Sequence, residues 1–127
     1  MIEITSYAQF LNIIHNSPNI YILVDFYAPW CKPCLRAMPF LEQLENGIKI
    51  NNLKFYKINI DENCECVDNL NVKSIPKFSL YYNTLEVDCV TGFNIEQLGN
   101  MLKIHINKNN KNNINKNNIN KNNINKK

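Results

Sequence analysis

The sequence lacks several features that mark common classes of protein. No apolar run approaches the roughly 20 residues that a helix needs to cross a bilayer. The opening segment, "MIEITSYAQF", has no basic region ahead of an apolar stretch, and Glu3 comes early in it, so we expect no secretory signal. These absences predict a soluble, cytoplasmic protein that does not associate with membranes.

Positive charge is scarce outside the C-terminal segment. The formal net charge of +3 comes from 14 Lys and Arg against 11 Asp and Glu. Residues 107–127 hold six lysines and no acid, so residues 1–106 carry eight basic and eleven acidic side chains, a net charge of −3. Because the first 106 residues have no concentrated basic face, we expect no nucleic-acid partner.

A chain of 127 residues can bury one sizeable core and is too short for two ordinary domains. We expect one domain at residues 1–106. Residues 107–127 contain 12 Asn, six Lys and three Ile, and the isoleucines are five positions apart. Because that spacing gives no common apolar side on a helix or a strand, we expect a low-complexity, disordered tail.

Strand patterns recur along the first 106 residues. The run "IYILVDFYA", residues 20–28, is almost entirely apolar, which is typical of a strand buried on both faces. Asn83 and Thr84 lie between two further apolar runs and predict a hairpin. The other predicted strands are at residues 2–5, 53–60, 77–82 and 85–90.

Helical patterns alternate with these strands. They are predicted from a cap at Ser6 to about His15, from Lys32 to near Gly47, within residues 61–70, and from a cap at Asn94 to about His105. This order predicts an α/β fold with a central mixed five-stranded sheet and helices on both faces.

The helix that begins at Lys32 has two features of its own. Its apolar side is predicted to contain Leu35, Met38, Leu41 and Leu44. Pro39 lies inside it and should kink it.

Five cysteines, an odd number, lie at positions 31, 34, 64, 66 and 89. In a reducing compartment such residues are catalytic, metal-binding or free thiols more often than a disulfide framework. A zinc site made by residues 31, 34, 64 and 66 is one alternative, although a CxxC joined to a CxC is weaker evidence for zinc than two CxxC pairs. We therefore expect no metal.

The remaining cysteines have simpler interpretations. Cys64 and Cys66 are interpreted as incidental thiols, with a regulatory disulfide or glutathionylation as the alternative. Cys89 is expected to be a small core or edge residue of its strand.

The segment "VDFYAPWCKPC", residues 24–34, places a pair of cysteines between a buried strand and a helix. The positive potential at the start of that helix would favour the thiolate of Cys31, and Pro33 has a backbone angle suited to the first turn. Cys34 lies one turn later and deeper, where it can close a disulfide with Cys31. The spacing therefore suggests that Cys31 attacks a substrate disulfide and that Cys34 resolves the mixed disulfide.

Together with the later segments "SIPKF" and "TGF", this motif resembles the thioredoxin family over residues 1 to about 106. The resemblance implies a thioredoxin fold and a monomeric protein disulfide reductase that uses the Cys31–Cys34 dithiol in cell redox homeostasis. It implies protein disulfides as substrates, no bound cofactor, and a reductant that is either thioredoxin reductase or glutathione. A thioredoxin-like interaction module with secondary redox activity is the alternative.

The resemblance also implies roles for individual residues. Trp30 would flank the dithiol, the peptide bond between Ile75 and Pro76 would be cis and would face the dithiol, and Gly92 would line the same groove. Asp25 would be the buried carboxylate behind Cys34, with Lys57 close to it.

Two of these expectations concern charge. Burial would raise the pKa of Asp25, so that it could exchange a proton with Cys34 near neutral pH. The alternative is a purely structural ion pair between Asp25 and Lys57. Lys32 stands where the family usually has glycine, and its positive charge should stabilise the Cys31 thiolate.

Overall fold

The structure, a computed structural model, describes residues 1–47 and 52–106. These form two compact units, one ending at Asn94 and the other beginning at Ile95. The disordered tail predicted at residues 107–127 lies outside the described residues.

The first unit is built around one strand whose side chains are all buried. This strand, β2 (Tyr21–Tyr27), carries β-branched, aromatic and aliphatic residues that suit a strand covered on both faces. It lies at the centre of a five-stranded sheet with the order β1-β3-β2-β4-β5. The other strands are β1 (Ile2–Glu3), β3 (Leu53–Asn59), β4 (Lys77–Tyr82) and β5 (Leu85–Thr91).

The sheet is mixed, as the sequence predicts. The strand β3 pairs in parallel with both β1 and β2, whereas β4 is antiparallel to β2 and to β5. The register places Asp25 beside Lys57 of β3 and Phe78 of β4. It also places Lys57 beside Glu3 of β1. A row of residues therefore crosses the sheet from Glu3 through Lys57 and Asp25 to Phe78.

The two faces of the sheet pack against different helices. Val24 and Phe26 share a buried cluster with Phe10 of α1 (Tyr7–His15) and Cys66 of α3 (Cys64–Asn69). Tyr27, which points to the opposite face because side chains alternate along a strand, clusters instead with residues of α2 (Lys32–Gly47). The prediction of helices on both faces is confirmed within this unit.

The start of α1 is fixed by its cap. The Ser6 hydroxyl oxygen accepts a hydrogen bond from the Gln9 backbone N–H at 3.0 Å. The Gln9 side chain returns to the backbone N–H of Thr5 at 2.7 Å, one residue before the cap. Both interactions satisfy backbone donors that the helix itself leaves free, so the predicted helix start is confirmed.

The predicted apolar side of α2 is partly wrong. Its buried residues are Cys34, Ala37 and Leu41, and Leu35 is 51% exposed. The helix is rotated about its axis so that the small Cys34 and Ala37 face the core. Because successive residues of a helix point about 100° apart, Leu35 points away from the core. The helix continues through Pro39; the kink expected there remains a prediction.

The segment that follows β3 has a 3-10 turn (Ile60–Glu62) and then α3. The Asn59 side chain caps the turn by accepting a hydrogen bond from the Asp61 N–H at 3.0 Å. The short helix predicted within residues 61–70 is confirmed as α3, which contributes the buried Cys66 to the core.

The second unit contains α4, residues 95–106. Its buried side chains recur at intervals of three or four residues, as one side of a helix requires, and are those of Leu98, Met101, Leu102 and Ile106. No described helix of either unit is long and apolar enough to span a membrane.

The hairpin between β4 and β5 turns on Asn83 and Thr84, as predicted, and both have positive φ, 49° and 74°. Asparagine tolerates this region, whereas a β-branched threonine is strained there. The Asn83 side chain also accepts a hydrogen bond from the Asn19 N–H at 2.8 Å. Asn83 therefore suits the backbone conformation of the turn, and Thr84 does not.

Replacing Thr84 with Gly should stabilise the protein by about 1 kcal/mol, because glycine adopts positive φ without a steric cost. The free energy of unfolding in urea would measure the gain. Asn83→Gly is the matched variant, and it should gain less because it loses the hydrogen bond from Asn19. An unchanged free energy of unfolding in the Thr84→Gly protein would show that threonine is not strained in this turn.

Candidate active site

The candidate site lies where the chain leaves β2 and enters α2. The Cys31 N–H donates to the Ala28 carbonyl oxygen at 3.1 Å, and the Cys31 carbonyl oxygen accepts the first helical bond from Leu35 at 3.0 Å. Cys31 therefore occupies the capping position of α2, beside backbone N–H groups that have no partner within the helix. Positive potential at this position stabilises a thiolate.

Cys31 and Cys34 are joined by a disulfide, with their Cα atoms 5.2 Å apart. The Cys34 N–H points at the Cys31 sulfur, at 3.3 Å, and can donate to it. Cys34 is fully buried, whereas Cys31 is 6% exposed. Cys31 is thus the slightly more accessible of the two sulfur-bearing residues, in the order that the sequence predicts.

Apolar residues from three segments surround the dithiol. Met38 of α2, Ile60 of the 3-10 turn and Ile75 pack against the cluster that contains both cysteines. The peptide bond between Ile75 and Pro76 is cis, as the resemblance implies. The Pro76 carbonyl oxygen accepts a hydrogen bond from the Gly92 N–H at 2.8 Å, and Gly92 has a φ of 80° that favours glycine. The structure therefore brings Ile75 to the dithiol and ties Gly92 to Pro76.

Trp30, immediately before the dithiol, is 66% exposed. Its indole N–H donates to a carboxylate oxygen of Asp61 at 2.9 Å, which fixes one edge of the ring. An exposed aromatic side chain held in this way presents a flat apolar surface beside Cys31. Asp61 was not predicted from the sequence, because its place next to Trp30 depends on the fold of the 3-10 turn.

Lys32 and Pro33 form the first turn of α2. The Lys32 side chain is exposed, and that of Pro33 is half-buried. Proline is well tolerated at this place because its missing N–H would have no helical partner. The charge of Lys32 therefore lies at the surface, one residue from Cys31.

Asp25 is the most unusual polar residue of the core. Its side chain is 1% exposed, and neither carboxylate oxygen has a hydrogen-bond partner among the described residues. Burial raises its pKa from 3.8 to about 7, and the nearby Lys57 charge opposes this effect only partly. Asp25 lies on the same face of β2 as Tyr27, which packs in the cysteine cluster.

Lys57 is the register neighbour of Asp25, as expected, yet the two side chains form no ion pair within 4.0 Å in the described part of the chain. The Lys57 ammonium instead lies over the Tyr27 ring, 5.7 Å from its centroid. The Tyr27 hydroxyl donates to a carboxylate oxygen of Glu3 at 2.7 Å. The geometry therefore does not show the alternative of a direct ion pair between Asp25 and Lys57. The contacts of Lys57 with Tyr27 and of Tyr27 with Glu3 were not predicted from the sequence.

The other cysteines lie apart from the dithiol cluster and are free thiols. Cys64 and Cys89 are exposed, Cys89 on the edge strand β5, whereas Cys66 is fully buried. Burial raises the pKa of the Cys66 thiol, and the charge of Glu65 adds to the effect. Within residues 1–47 and 52–106, no three His, Cys, Asp or Glu residues are grouped as a metal site would require.

The family model of thioredoxin matches residues 1–104. The chain belongs to the thioredoxin family. Thioredoxin 1 of Plasmodium falciparum is 36% identical over 100 residues, which cover 79% of this chain and 92% of that protein. Thioredoxin of Ictalurus punctatus is 27% identical over 105 residues, which cover 83% of this chain and 98% of that protein.

Solved structures of the family agree with the fold. The thioredoxin of Fasciola hepatica superimposes with a TM-score of 0.78 at 30% identity, covering 83% of this chain and 99% of that one. The thioredoxin of Plasmodium falciparum gives a TM-score of 0.74 at 34% identity, with coverage of 81% and 97%. With Cys31 and Cys34 in the CxxC position of the thioredoxin fold, the protein is a thiol–disulfide oxidoreductase that reduces protein disulfides.

Replacing Asp25 with Asn should stabilise the protein above about pH 7 and change little near pH 4. The carboxyl titrates near 3.8 when unfolded and near 7 when folded, so the folded state binds more protons between these values. The contribution of Asp25 to the stability of the wild type therefore falls as pH rises from about 4 to about 7, and then levels off. The pKa difference limits the gain to about 4 kcal/mol.

Urea unfolding of the disulfide form at about pH 4 and about pH 8 would measure this effect. Asp68→Asn is the control, because that side chain is exposed on α3 and its removal should leave the difference between the two pH values unchanged. An Asp25→Asn protein whose stability falls as steeply with pH as the wild type would contradict the raised pKa.

Proposed function

We propose that the protein reduces disulfides of other proteins through a two-step exchange in which Cys31 attacks and Cys34 resolves. The observation that carries this assignment is the position of Cys31 at the start of α2, with a deeper Cys34 one turn away. The Cys31 thiolate forms a bond to one substrate sulfur and releases the other as a thiolate. Cys34 then attacks the Cys31 sulfur, which releases the second substrate thiol and leaves the Cys31–Cys34 disulfide.

Asp25 is proposed to move the proton of Cys34 in the second step. A thiol in a fully buried position loses its proton with difficulty, because the thiolate is poorly solvated there. A carboxyl with a pKa of about 7 is present in both protonation states near neutral pH, so it can act as base in one direction and as acid in the other. Its position on the face of β2 that packs against the dithiol supports this role.

The substrate groove is proposed to run between Trp30 and the loop before β4. Trp30 offers an exposed apolar face, and Ile75 packs against the dithiol cluster. Pro76 and Gly92 are bonded through their backbones and support the same side of the groove. An extended substrate segment would pair with the backbone of Ile75, as the resemblance implies.

Members of this family act on protein disulfides and are reduced by thioredoxin reductase. We propose the same reductant for this chain, with glutathione as the alternative, and no bound cofactor. The protein is proposed to act as a cytoplasmic monomer, and the three free thiols suit a reducing compartment.

Cys34→Ser should trap substrate proteins as mixed disulfides on Cys31, and Cys31→Ser should abolish turnover without trapping them. The reason is that only the Cys34 thiol can resolve the intermediate within the molecule. Insulin reduction and non-reducing electrophoresis of captured substrates would measure both effects. Stable trapping by the Cys31→Ser protein at an equal level would reverse the two roles.

Lys32→Gly should raise the pKa of the Cys31 thiol and lower the reduction potential. A cation beside the sulfur stabilises the thiolate and hence the reduced form, so removing it makes the disulfide harder to reduce. Because Lys32 is exposed and screened by solvent, the expected change is about 20 mV from a family value near −270 mV.

Equilibration with glutathione and thiolate absorbance titration would measure the two quantities. Lys32→Arg is the matched control, because it keeps the charge and should keep both values. If Lys32→Gly and Lys32→Arg behaved alike, the lysine charge would have no influence on Cys31.

A further inference from the structure

Three strands bring a cation and two carboxylates into one row of the sheet. The register places Lys57 between Glu3 of β1 and Asp25 of β2. An ammonium in this position is attracted by both acids, and the fully buried Asp25 would gain much from a partner because its oxygens have no hydrogen bond. In the described part of the chain, however, the Lys57 ammonium forms no ion pair with Asp25.

The Lys57 ammonium lies over the Tyr27 ring, and the Tyr27 hydroxyl is bonded to Glu3. Burial and the hydrogen bond to Glu3 raise the pKa of Tyr27, so its hydroxyl remains a donor at working pH. The ring face attracts the cation, and the adjacent Glu3 charge adds to that attraction. The ammonium therefore has a binding place that competes with Asp25.

We propose that Tyr27 and Glu3 are positioning residues that hold the Lys57 ammonium away from Asp25, so that Asp25 remains an unpaired proton carrier. The inference rests on the proposed role of Asp25 in the exchange reaction. It extends that role because it assigns the protonation state of the Asp25 carboxyl to two residues that take no part in the sulfur exchange itself. Burial of Asp25 alone would not keep its carboxyl available in the protonated form, because an ammonium paired with it would keep the carboxylate ionised.

The charged and titratable groups around Lys57 and Asp25 come from several neighbouring elements. The register neighbour of Asp25 on β4 is the apolar Phe78. The charge of Glu62, on the 3-10 turn, acts on Tyr27. The groups to consider are therefore Glu3 of β1, Tyr27 of β2, Lys57 of β3, Glu62 of the turn, and Cys31 and Cys34 at the start of α2.

The test is a carboxyl carbon NMR titration of Asp25 in the disulfide form, where Cys31 and Cys34 carry no titrating thiol. Glu3→Gln keeps an acceptor for Tyr27 but removes the charge that draws Lys57 away. The ammonium should then move toward Asp25 and lower its pKa by about one. An unchanged value would overturn the proposal. Glu86→Gln is the control, because Glu86 pairs with a different lysine, Lys77, and should leave Asp25 unchanged.

A double-mutant comparison separates the movement of Lys57 from the direct effect of the Glu3 charge. In a Lys57→Met background, Glu3→Gln should lower the pKa of Asp25 by less than half as much as in the wild type. An equally large effect in both backgrounds would mean that Glu3 acts directly on Asp25, and would overturn the holding role.

Two substitutions of Tyr27 test the ring. Tyr27→Leu removes the ring face that binds the ammonium and should lower the pKa of Asp25. Tyr27→Phe keeps the ring, so the pKa of Asp25 should stay close to its wild-type value. Equal changes in the two variants would contradict the proposal. If the Leu variant fails to fold, the titration of Glu3→Gln still decides the proposal.

The pH dependence of insulin reduction distinguishes this inference from the proposed function on which it rests. In Glu3→Gln, the pH profile of insulin reduction should move to lower pH together with the pKa of Asp25. A carboxyl pKa that falls while the pH profile stays in place would support the holding role of Tyr27 and Glu3 but would refute the proton-carrier role of Asp25. An unmoved carboxyl pKa would refute the holding role alone.

Discussion

The complete burial of β2 is the constraint on which the rest of the structure depends. Each of its seven side chains is buried, so any polar group in the strand is removed from water. The burial of a phenylalanine such as Phe26 stabilises the folded state by about 2 kcal/mol. The same burial makes Asp25 costly when it is ionised. The interactions that stabilise the fold therefore also prepare the carboxyl for proton transfer near neutral pH.

The direction of β2 places the dithiol at the edge of this buried region. The strand ends at Tyr27 and α2 begins at Lys32, so Cys31 lies beside the free N–H groups of a helix that continues into the core. One helical turn then carries the chain from a slightly exposed sulfur to a fully buried one. The different environments of Cys31 and Cys34 follow from the packing of α2, together with Ile60 and Ile75, which pack against the same cluster.

Local patterns in the sequence were sufficient to predict the elements that meet at the site. The apolar run of β2, the Ser6 cap and the Asn83 turn each act within a few residues, and each was confirmed. The prediction of Leu35 as a buried residue was wrong, because the rotation of α2 is set by the inward positions of Cys34 and Ala37, which periodicity alone does not reveal.

The contacts among Glu3, Tyr27 and Lys57 could not be predicted in this way. They require the strand order β1-β3-β2, which brings together residues 54 positions apart in the chain. The resemblance to the family suggested Lys57 near Asp25 and so found the correct neighbour, but it gave no information on where the ammonium would point. That direction depends on a tyrosine ring and on a glutamate on another strand.

A buried carboxyl that lies next to a lysine need not form an ion pair with it. A direct pair would offset part of the desolvation cost of Asp25 and would stabilise the folded chain at neutral pH. It would also keep the carboxylate ionised, and an ionised group with a depressed pKa is a poor proton donor in the reverse reaction. Holding the ammonium over Tyr27 leaves Asp25 destabilising to the fold but able to exist in both protonation states. In the proposed cycle, a buried thiol must lose its proton when the substrate is released and regain it when the disulfide is reduced, so a group available in both states serves both steps.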